Sequence, residues 1–208
     1  MKARATPTII LFNKPYGILS QFSSGTHAGQ HGTLAEFGPF PSDVYPAGRL
    51  DADSEGLLLL TNDSRIQHLL LEPRYRHPRT YLVQVERIPD AAALSQLEGG
   101  TIRLDGRPVL PATVRLLRDD PPLPPRPVPI RYRKNVPTAW LEIVLREGKN
   151  RQVRRMAAAV GHPALRLFRS AIGSLTCDEL EPGKWRALSP WESARFAENL
   201  EENAKGSG

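Results

Sequence analysis

Gly48-Arg-Leu-Asp-Ala-Asp-Ser-Glu-Gly-Leu-Leu-Leu-Leu-Thr61 is the stretch of sequence that decides the fold. Its first nine residues hold three acids, one arginine and two glycines, and the leucine run that follows is typical of a buried strand. A carboxylate at the lip of a core is partly desolvated, which suits a nucleophile or a general base. A turn of solvated acids is the alternative interpretation. Paired-carboxylate hydrolysis is a third, since Asp51 and Asp53 point the same way if this stretch is extended.

The pattern of elements around this stretch predicts an α+β fold. Strand-type patterns occur at residues 8–12, 56–61, 79–86, 101–104, 112–117, 139–146, 165–168 and 185–188, and helix-type patterns at 33–37, 64–71, 89–98 and 150–160. Strands outnumber helices and do not alternate with them regularly, which favours a mixed, largely antiparallel sheet flanked by a few helices. The first strand reads as an edge or first strand. Residues 20–31, polar and glycine-rich, read as an exposed loop that can order on a ligand.

The ends of the chain are expected to be flexible. We predict a flexible N-terminus at residues 1–7, one domain at 8–195 and a flexible, charged tail at 196–208. Inside the domain, the proline-rich segment 121–129 must be extended. No stretch resembles a signal peptide or reaches membrane-spanning length, and a single cysteine predicts a reducing compartment, so we expect a cytoplasmic protein without a membrane partner.

The charge of the chain is typical of a protein that binds a polyanion. Lys and Arg number 28 against 22 Asp and Glu, which gives a net charge of +6 and a pI near 9.8. Arginine supplies most of the excess, and its guanidinium suits phosphate contacts and stacking on bases. A high-GC genome would give the same bias, so composition leaves both explanations open. The five histidines lack ligand spacing, and one cysteine is too few for a cysteine-based zinc site.

A second cluster of charged residues, Gly148-Lys-Asn-Arg-Gln-Val-Arg-Arg-Met156, begins a predicted helix. Val153, Met156, Ala157 and Val160 form one apolar stripe along it. Lys149, Arg151 and Arg155 are candidates for phosphate contacts, with a solvated basic face as the alternative. Arg154 falls on the flank of the stripe, where its guanidinium can reach an acid beside the core. A structural ion pair would leave the same pattern.

Several motifs in fixed order resemble the RsuA branch of the pseudouridine synthases over about residues 8 to 190. The resemblance rests on Gly48-Arg-Leu-Asp51 with Ser54-Glu-Gly-Leu-Leu-Leu-Leu-Thr-Asn-Asp63, Arg79-Thr-Tyr-Leu-Val83, Glu147-Gly-Lys-Asn-Arg-Gln-Val-Arg-Arg-Met156 and Leu165-Arg-Leu-Phe-Arg-Ser-Ala-Ile-Gly173. Asn13-Lys-Pro-Tyr16, residues 130–141 and the lack of an N-terminal S4 domain are most similar to the RluE group. Two positions depart from the pattern. Ser64 stands where glycine is usual, so any positive φ there must shift to Asn62 or Asp63; Arg79 replaces a common lysine and keeps its charge.

The resemblance implies a role for each matching residue. Asp51 would be the catalytic aspartate, Tyr81 the ring that stacks on the target base and Arg154 the partner of the aspartate. Leu167 would pack beside the target base and Arg49 would fill the space that the flipped nucleotide leaves, with further RNA contacts from Lys149, Arg151, Arg155 and Arg169. Without the resemblance, Tyr81 would read as one more aromatic residue in a core.

The resemblance also implies the fold and the activity. It implies two subdomains around a central RNA-binding cleft, and isomerisation of one uridine to pseudouridine in 23S ribosomal RNA near the peptidyl transferase centre, as part of ribosome maturation. It implies no metal and no cofactor. The expected partner is ribosomal RNA, free or in an assembling large subunit, bound by a monomer without an obligate protein partner. A non-catalytic RNA-binding or ribosome-assembly module is the alternative, although an acid inside a basic cleft would repel phosphate. A metal-dependent nuclease that uses Asp51 and Asp53 is another.

Overall fold

A computed structural model of the chain describes residues 7–25, 29–130 and 133–205. These residues form two compact units, one built from residues 7–77 and 174–205 and the other from Pro78–Gly173. Of the predicted flexible N-terminus, only Pro7 lies within the described residues. In chain order the elements are β1 (Ile9–Lys14), β2 (Tyr45–Pro46), β3 (Glu55–Thr61), α1 (Ser64–Leu71), β4 (Arg79–Glu86), α2 (Ala91–Glu98), β5 (Arg103–Leu104), β6 (Arg107–Pro108), β7 (Thr113–Leu116), β8 (Thr138–Leu145), α3 (Gln152–Ala159), β9 (Ala164–Ile172), β10 (Leu175–Thr176), β11 (Trp185–Ala187) and α4 (Pro190–Lys205), with short 3-10 helices at Leu34–Phe37 and Pro73–Tyr75.

The sheet of the first unit is built on the leucine run. β1 pairs antiparallel with β3 on one side and β11 on the other, so that Leu11 faces both Leu59 and Arg186. Every residue of β1 and β3 is buried, which explains why both strands read as nearly continuous apolar runs. Of the two predicted positions for this segment, the edge position is therefore wrong, and β1 is the first strand of the chain. One face of this sheet packs Phe12 against a group of aromatic rings, Phe37, Phe40 and Trp185 among them.

In the second unit, β4 pairs antiparallel with β8 and β9, and β7 pairs with the edge of β8 that faces away from β4. Along β4 the side chains alternate, and Tyr81, Val83 and Val85 face the core. The apolar stripe of α3 packs into the same core, where Val153, Met156 and Ala157 are buried. The α+β prediction is confirmed, with antiparallel strand pairs in both units.

The C-terminal tail is a helix, and the prediction of a flexible segment from residue 196 is wrong at least as far as Lys205. Helix α4 begins with a capping box: the Glu192 carboxylate accepts from the Ser189 backbone N–H at 2.7 Å, and the Ser189 hydroxyl accepts from the Glu192 N–H at 3.2 Å. Pro190 occupies the first helical position, where its missing N–H costs nothing. Phe196 and Leu200, four residues apart, are buried on one face. The prediction of a flexible tail rested on its charged composition alone.

The turn after β3 needs no positive φ at any of the positions considered for one. Neither Asn62, Asp63 nor Ser64 has a positive φ. Asp63 is instead extended at φ −101°, and its carboxylate accepts from the backbone N–H groups of Arg65 and Ile66 as the N-cap of α1. Because a cap residue takes an extended conformation, a serine in the next position fits without strain, and glycine is not required here.

The proline-rich segment 121–129 forms neither helix nor strand, as its composition predicts. It lies against β9, where the guanidinium of buried Arg166 donates a hydrogen bond to the Pro124 carbonyl at 2.8 Å. Proline carbonyls remain good acceptors although the ring nitrogen has no hydrogen to donate. This contact ties the segment to the sheet of the second unit.

Candidate active site

Asp51 lies in the loop that joins β2 to β3 in the first unit. The backbone turns at this residue, because the Ser54 N–H donates to the Asp51 carbonyl at 3.0 Å. This stretch is therefore not extended, and Asp51 and Asp53 were expected to point the same way only in an extended stretch. Asp51 and Asp53 are partly buried, whereas Arg49 is exposed. A partly buried carboxylate beside an exposed guanidinium can meet a ligand that arrives from solvent.

The loop is held by residues 17–20, which follow β1. The Gly17 N–H donates to the Ala52 carbonyl at 2.7 Å, and the Ser20 hydroxyl bonds to both backbone polar groups of Leu50. Ser20 is buried and residues 21, 22 and 24 are partly buried, so the prediction of an exposed loop is wrong at these four residues. Residues 29–31 are exposed as predicted, and residues 26–28 lie outside the described residues.

Tyr81 lies on β4 in the second unit, facing the core and flanked by two guanidinium groups. Arg169 of β9 is its partner in the strand register, and Arg79 lies two residues before it on the same strand. Tyr81 is 9% exposed and packs with the core residues of this unit, as the core interpretation of this ring expects. Arg169 is buried as well.

Tyr81 and Arg169 both affect the pKa of Arg79. Burial lowers the pKa of the Arg79 guanidinium, the nearby Tyr81 hydroxyl partly offsets that effect, and the positive charge of Arg169 lowers the pKa further. Two like charges placed together beside a phenol form a local positive field in a desolvated setting, where an anionic group is favoured.

Arg154 and Leu167 belong to the same unit. Arg154 is half-buried on α3, as its position on the flank of the stripe predicts, and its Nη1 donates to the Ala164 carbonyl of β9 at 3.2 Å. Leu167 is buried in the core opposite Val83. The predicted partnership of Arg154 with Asp51 joins residues of different units and stays a prediction.

Two of the three candidate phosphate-binding residues contact the short β5–β6 hairpin. Arg155 makes a bidentate ion pair with Asp105 at 2.8 and 2.9 Å, and this pairing lowers the pKa of the Asp105 carboxyl. The Lys149 ammonium donates to the Pro108 carbonyl at 2.6 Å and lies 3.4 Å from Glu147. Both side chains therefore have protein partners before any RNA binds.

The third candidate phosphate-binding residue is Arg151. It is exposed and precedes α3 with φ +48°, in the left-handed region where a long side chain is uncommon. Uncommon backbone conformations of this kind cluster at functional sites. The geometry is consistent with the RNA contact predicted for Arg151, which stays a prediction.

Sequence reasoning missed Arg79 and Ser20 as members of the site. The period-2 alternation of β4 already placed Arg79 on the same face as Tyr81. Ser20 carried no comparable signal, because its partner Leu50 is 30 residues away in the sequence.

Two features of other classes of protein are absent from the described part of the chain. No three His, Cys, Asp or Glu side chains there come together as the ligands of a metal ion would. None of the helices there combines the length and the apolar character that crossing a membrane requires.

Comparison with known proteins places these residues in a family context. Residues 8–159 match the family model described as RNA pseudouridylate synthase. A protein of Xanthomonas campestris named ribosomal large subunit pseudouridine synthase E is 55% identical over 178 residues, which cover 86% of this chain and 94% of that protein. A protein of the same name from Vibrio vulnificus is 50% identical and covers 87% of this chain and 75% of its own length. A crystal structure of a pseudouridylate synthase superposes with a TM-score of 0.72 at 28% identity, covering 91% of this chain and 74% of that one.

Proposed function

The chain belongs to the RNA pseudouridylate synthase family, and we propose that it isomerises one uridine of 23S ribosomal RNA to pseudouridine. The observation that carries the choice of RNA is the 55% identity, over 86% of this chain and 94% of the relative, to a protein named for the large ribosomal subunit. The confirmed α+β fold and the likeness to a solved pseudouridylate synthase support the same reaction. The target uridine near the peptidyl transferase centre belongs to this proposal as well.

The reaction breaks the bond between N1 of uracil and C1′ of ribose and rejoins the base through C5. The proton on C5 is lost to solvent and N1 gains one, so the reaction is balanced without an oxidant or an energy source. One carboxylate can serve it, either by attack on C6 or C1′ or as a base at C2′. In this proposal Asp51 is that carboxylate, and its partly buried position in the loop before β3 supports the assignment.

The second unit supplies the residues that would hold the flipped base. An RNA base must leave its stack before an enzyme can act on it, and aromatic faces replace the lost stacking. Tyr81 offers such a face, Leu167 is an apolar neighbour on β9, and the guanidiniums of Arg79 and Arg169 suit a phosphate or a carbonyl oxygen of the base. Arg154 is proposed to be the partner of the Asp51 carboxylate, as the resemblance implies.

Arg49, Lys149, Arg151 and Arg155 are proposed to contact the RNA backbone. The exposure of Arg49 and Arg151 supports this role directly. Lys149 and Arg155 would have to exchange or share their present partners, Pro108 and Asp105, with phosphate. The proposal further includes action as a monomer in the cytoplasm, where ribosomal RNA would be its partner.

Release of tritium from RNA labelled at C5 of uridine tests the function. Wild-type protein incubated with labelled 23S RNA, or with assembling large subunits, should release one tritium for each pseudouridine formed, and excess EDTA should not reduce the release. Absence of release from both substrates, with RNA binding intact, would favour the non-catalytic RNA-binding module. RNA cleavage that EDTA abolishes would favour the nuclease.

A further inference from the structure

The residues on either side of Asp51 are both anchored to residues 17–20. On one side, the Gly17 N–H donates to the Ala52 carbonyl at 2.7 Å. On the other, the Ser20 hydroxyl donates to the Leu50 carbonyl at 2.8 Å and accepts from the Leu50 N–H at 2.9 Å. Asp51 therefore lies between two residues, Leu50 and Ala52, whose backbone groups are held by hydrogen bonds.

The Ser20 anchor is buried and restrains the backbone in a particular way. Ser20 and Leu50 are 8% and 7% exposed, so water does not readily replace the two hydrogen bonds. Both bonds end on the same residue, and a rotation of the Leu50 backbone that kept one would break the other. Since the peptide bond that follows Leu50 is planar, this restraint limits the direction of the Asp51 Cα–Cβ bond.

The segment that carries Ser20 is itself fixed. The ammonium of Lys14, which is fully buried, donates to the carbonyls of Pro15 and Ile18 at 3.0 and 2.7 Å. Gly32 closes the segment from the other side, because it accepts from the Leu19 N–H at 2.9 Å and donates to the Gly17 carbonyl at 3.2 Å. An anchor on a rigid support holds its partner more accurately than one on a mobile loop.

We propose that Ser20 is a positioning residue for the reaction, holding the Asp51 carboxylate in place through the backbone of Leu50. The inference rests on the proposed role of Asp51. A reacting carboxylate must approach its target atom closely, and a misplacement of about 1 Å can reduce a rate by about 100-fold. Loss of the Ser20 hydroxyl should therefore slow the chemical step more than it weakens RNA binding, which other side chains support.

The test compares Ser20→Ala with Thr61→Val, a variant that loses the same kind of bonds elsewhere. The Thr61 hydroxyl also donates to a carbonyl, that of Thr8 at 2.8 Å, and accepts from a backbone N–H, that of Asp63 at 3.1 Å. Thr61 is 4% exposed and lies at the far end of β3 from Asp51. Both variants should lower the free energy of unfolding by a comparable amount, while only Ser20→Ala should affect the position of Asp51.

Single-turnover tritium release and RNA affinity are measured for both variants at a temperature where each is fully folded. Ser20→Ala should lower the single-turnover rate by about 10- to 100-fold with Kd within about twofold of wild type. Thr61→Val should stay within about twofold in both quantities. Ser20→Thr, which keeps the hydroxyl, should recover most of the rate. An unchanged rate in Ser20→Ala, an equal loss in Thr61→Val, or a Ser20→Thr rate as low as that of Ser20→Ala would overturn the inference.

Gly17→Ala probes the second anchor and replaces Ser20→Ala if that variant does not fold. Gly17 has φ +83° with no atom within 4 Å of an added Cβ, so alanine would act through backbone strain alone and shift the bond to Ala52. A rate loss with unchanged Kd is expected, and a wild-type rate would contradict the anchoring of Asp51. An inactive wild-type enzyme or a fully active Asp51→Asn variant would instead overturn the proposed function.

Discussion

Replacing Tyr81 separates the two roles that its position allows, core packing and stacking on the target base. At 9% exposure the ring contributes most of its surface to the core. A buried aromatic side chain covers about 150–250 Å², which at about 25 cal/mol per Å² corresponds to roughly 4–6 kcal/mol as an upper estimate. Truncation to alanine should therefore lower the free energy of unfolding by about 3–5 kcal/mol. Leucine, which refills much of the space without a flat face, should cost about 1–2 kcal/mol.

RNA binding should respond to the ring and not to the stability loss. Tyr81→Phe keeps the flat face and should bind like wild type, so its residual turnover would measure the hydroxyl alone. Tyr81→Leu loses stacking of about 1–3 kcal/mol, which corresponds to a Kd higher by about 5- to 150-fold. Ile143→Val, a change at the fully buried β8 partner of Tyr81, is the control for packing and should leave Kd unchanged.

Urea denaturation gives the free energy of unfolding, and equilibrium binding to ribosomal RNA gives Kd. The stacking role would be refuted if Tyr81→Leu bound RNA as tightly as wild type. It would also be refuted if Tyr81→Leu and Ile143→Val weakened binding equally, because the loss would then follow the core and not the ring.

Three further perturbations test the charges of the protein. Asp51→Asn should abolish tritium release, because the amide is neither a nucleophile nor a base, while RNA affinity holds or rises because a charge that repels phosphate is gone. Asp53→Asn should retain turnover. The reverse pattern would contradict the assignment of Asp51 as the catalytic carboxylate. Arg151→Ala should reduce the dependence of log K on log salt by roughly 0.7 to 0.9, and an unchanged slope would remove Arg151 from the interface. Hydrogen bonds from Arg186, and then from Ser189, lower the pKa of Glu192 to about 2 from near 4.5. Because its folded-state pKa is depressed, Glu192 stabilises the protein by about 1 kcal/mol above about pH 4.5, after screening by solvent, and this contribution is lost as the pH falls toward 2. Glu192→Gln should remove this part of the pH dependence of the free energy of unfolding. An identical pH profile in both proteins would show that the Glu192–Arg186 pair adds no stability.

The sequence by itself determined the elements whose signals are local. The alternation along β4 and the apolar stripe of α3 each repeat with the period of one secondary structure, so which side chains share a face followed from spacing alone. The leucine run of β3 has no such period; it is the continuous apolar run of a strand that is buried at every residue. The ordered motifs determined the family, which the comparisons confirmed. A local signal was also present for α4, in the capping box from Ser189 to Glu192, but the prediction of a flexible tail rested on its charged composition and did not include this signal.

Only the tertiary structure decided which partners the polar side chains take. Ser20 reaches Leu50 across 30 residues and Arg155 reaches Asp105 across 50, and no short-range pattern encodes either pair. The interior position of β1 likewise depends on β11, whose residues lie more than 170 positions later in the chain. Hydrogen bonds and ion pairs form wherever the chain brings complementary groups within about 3 Å, and that proximity is a property of the packed fold and not of the sequence spacing.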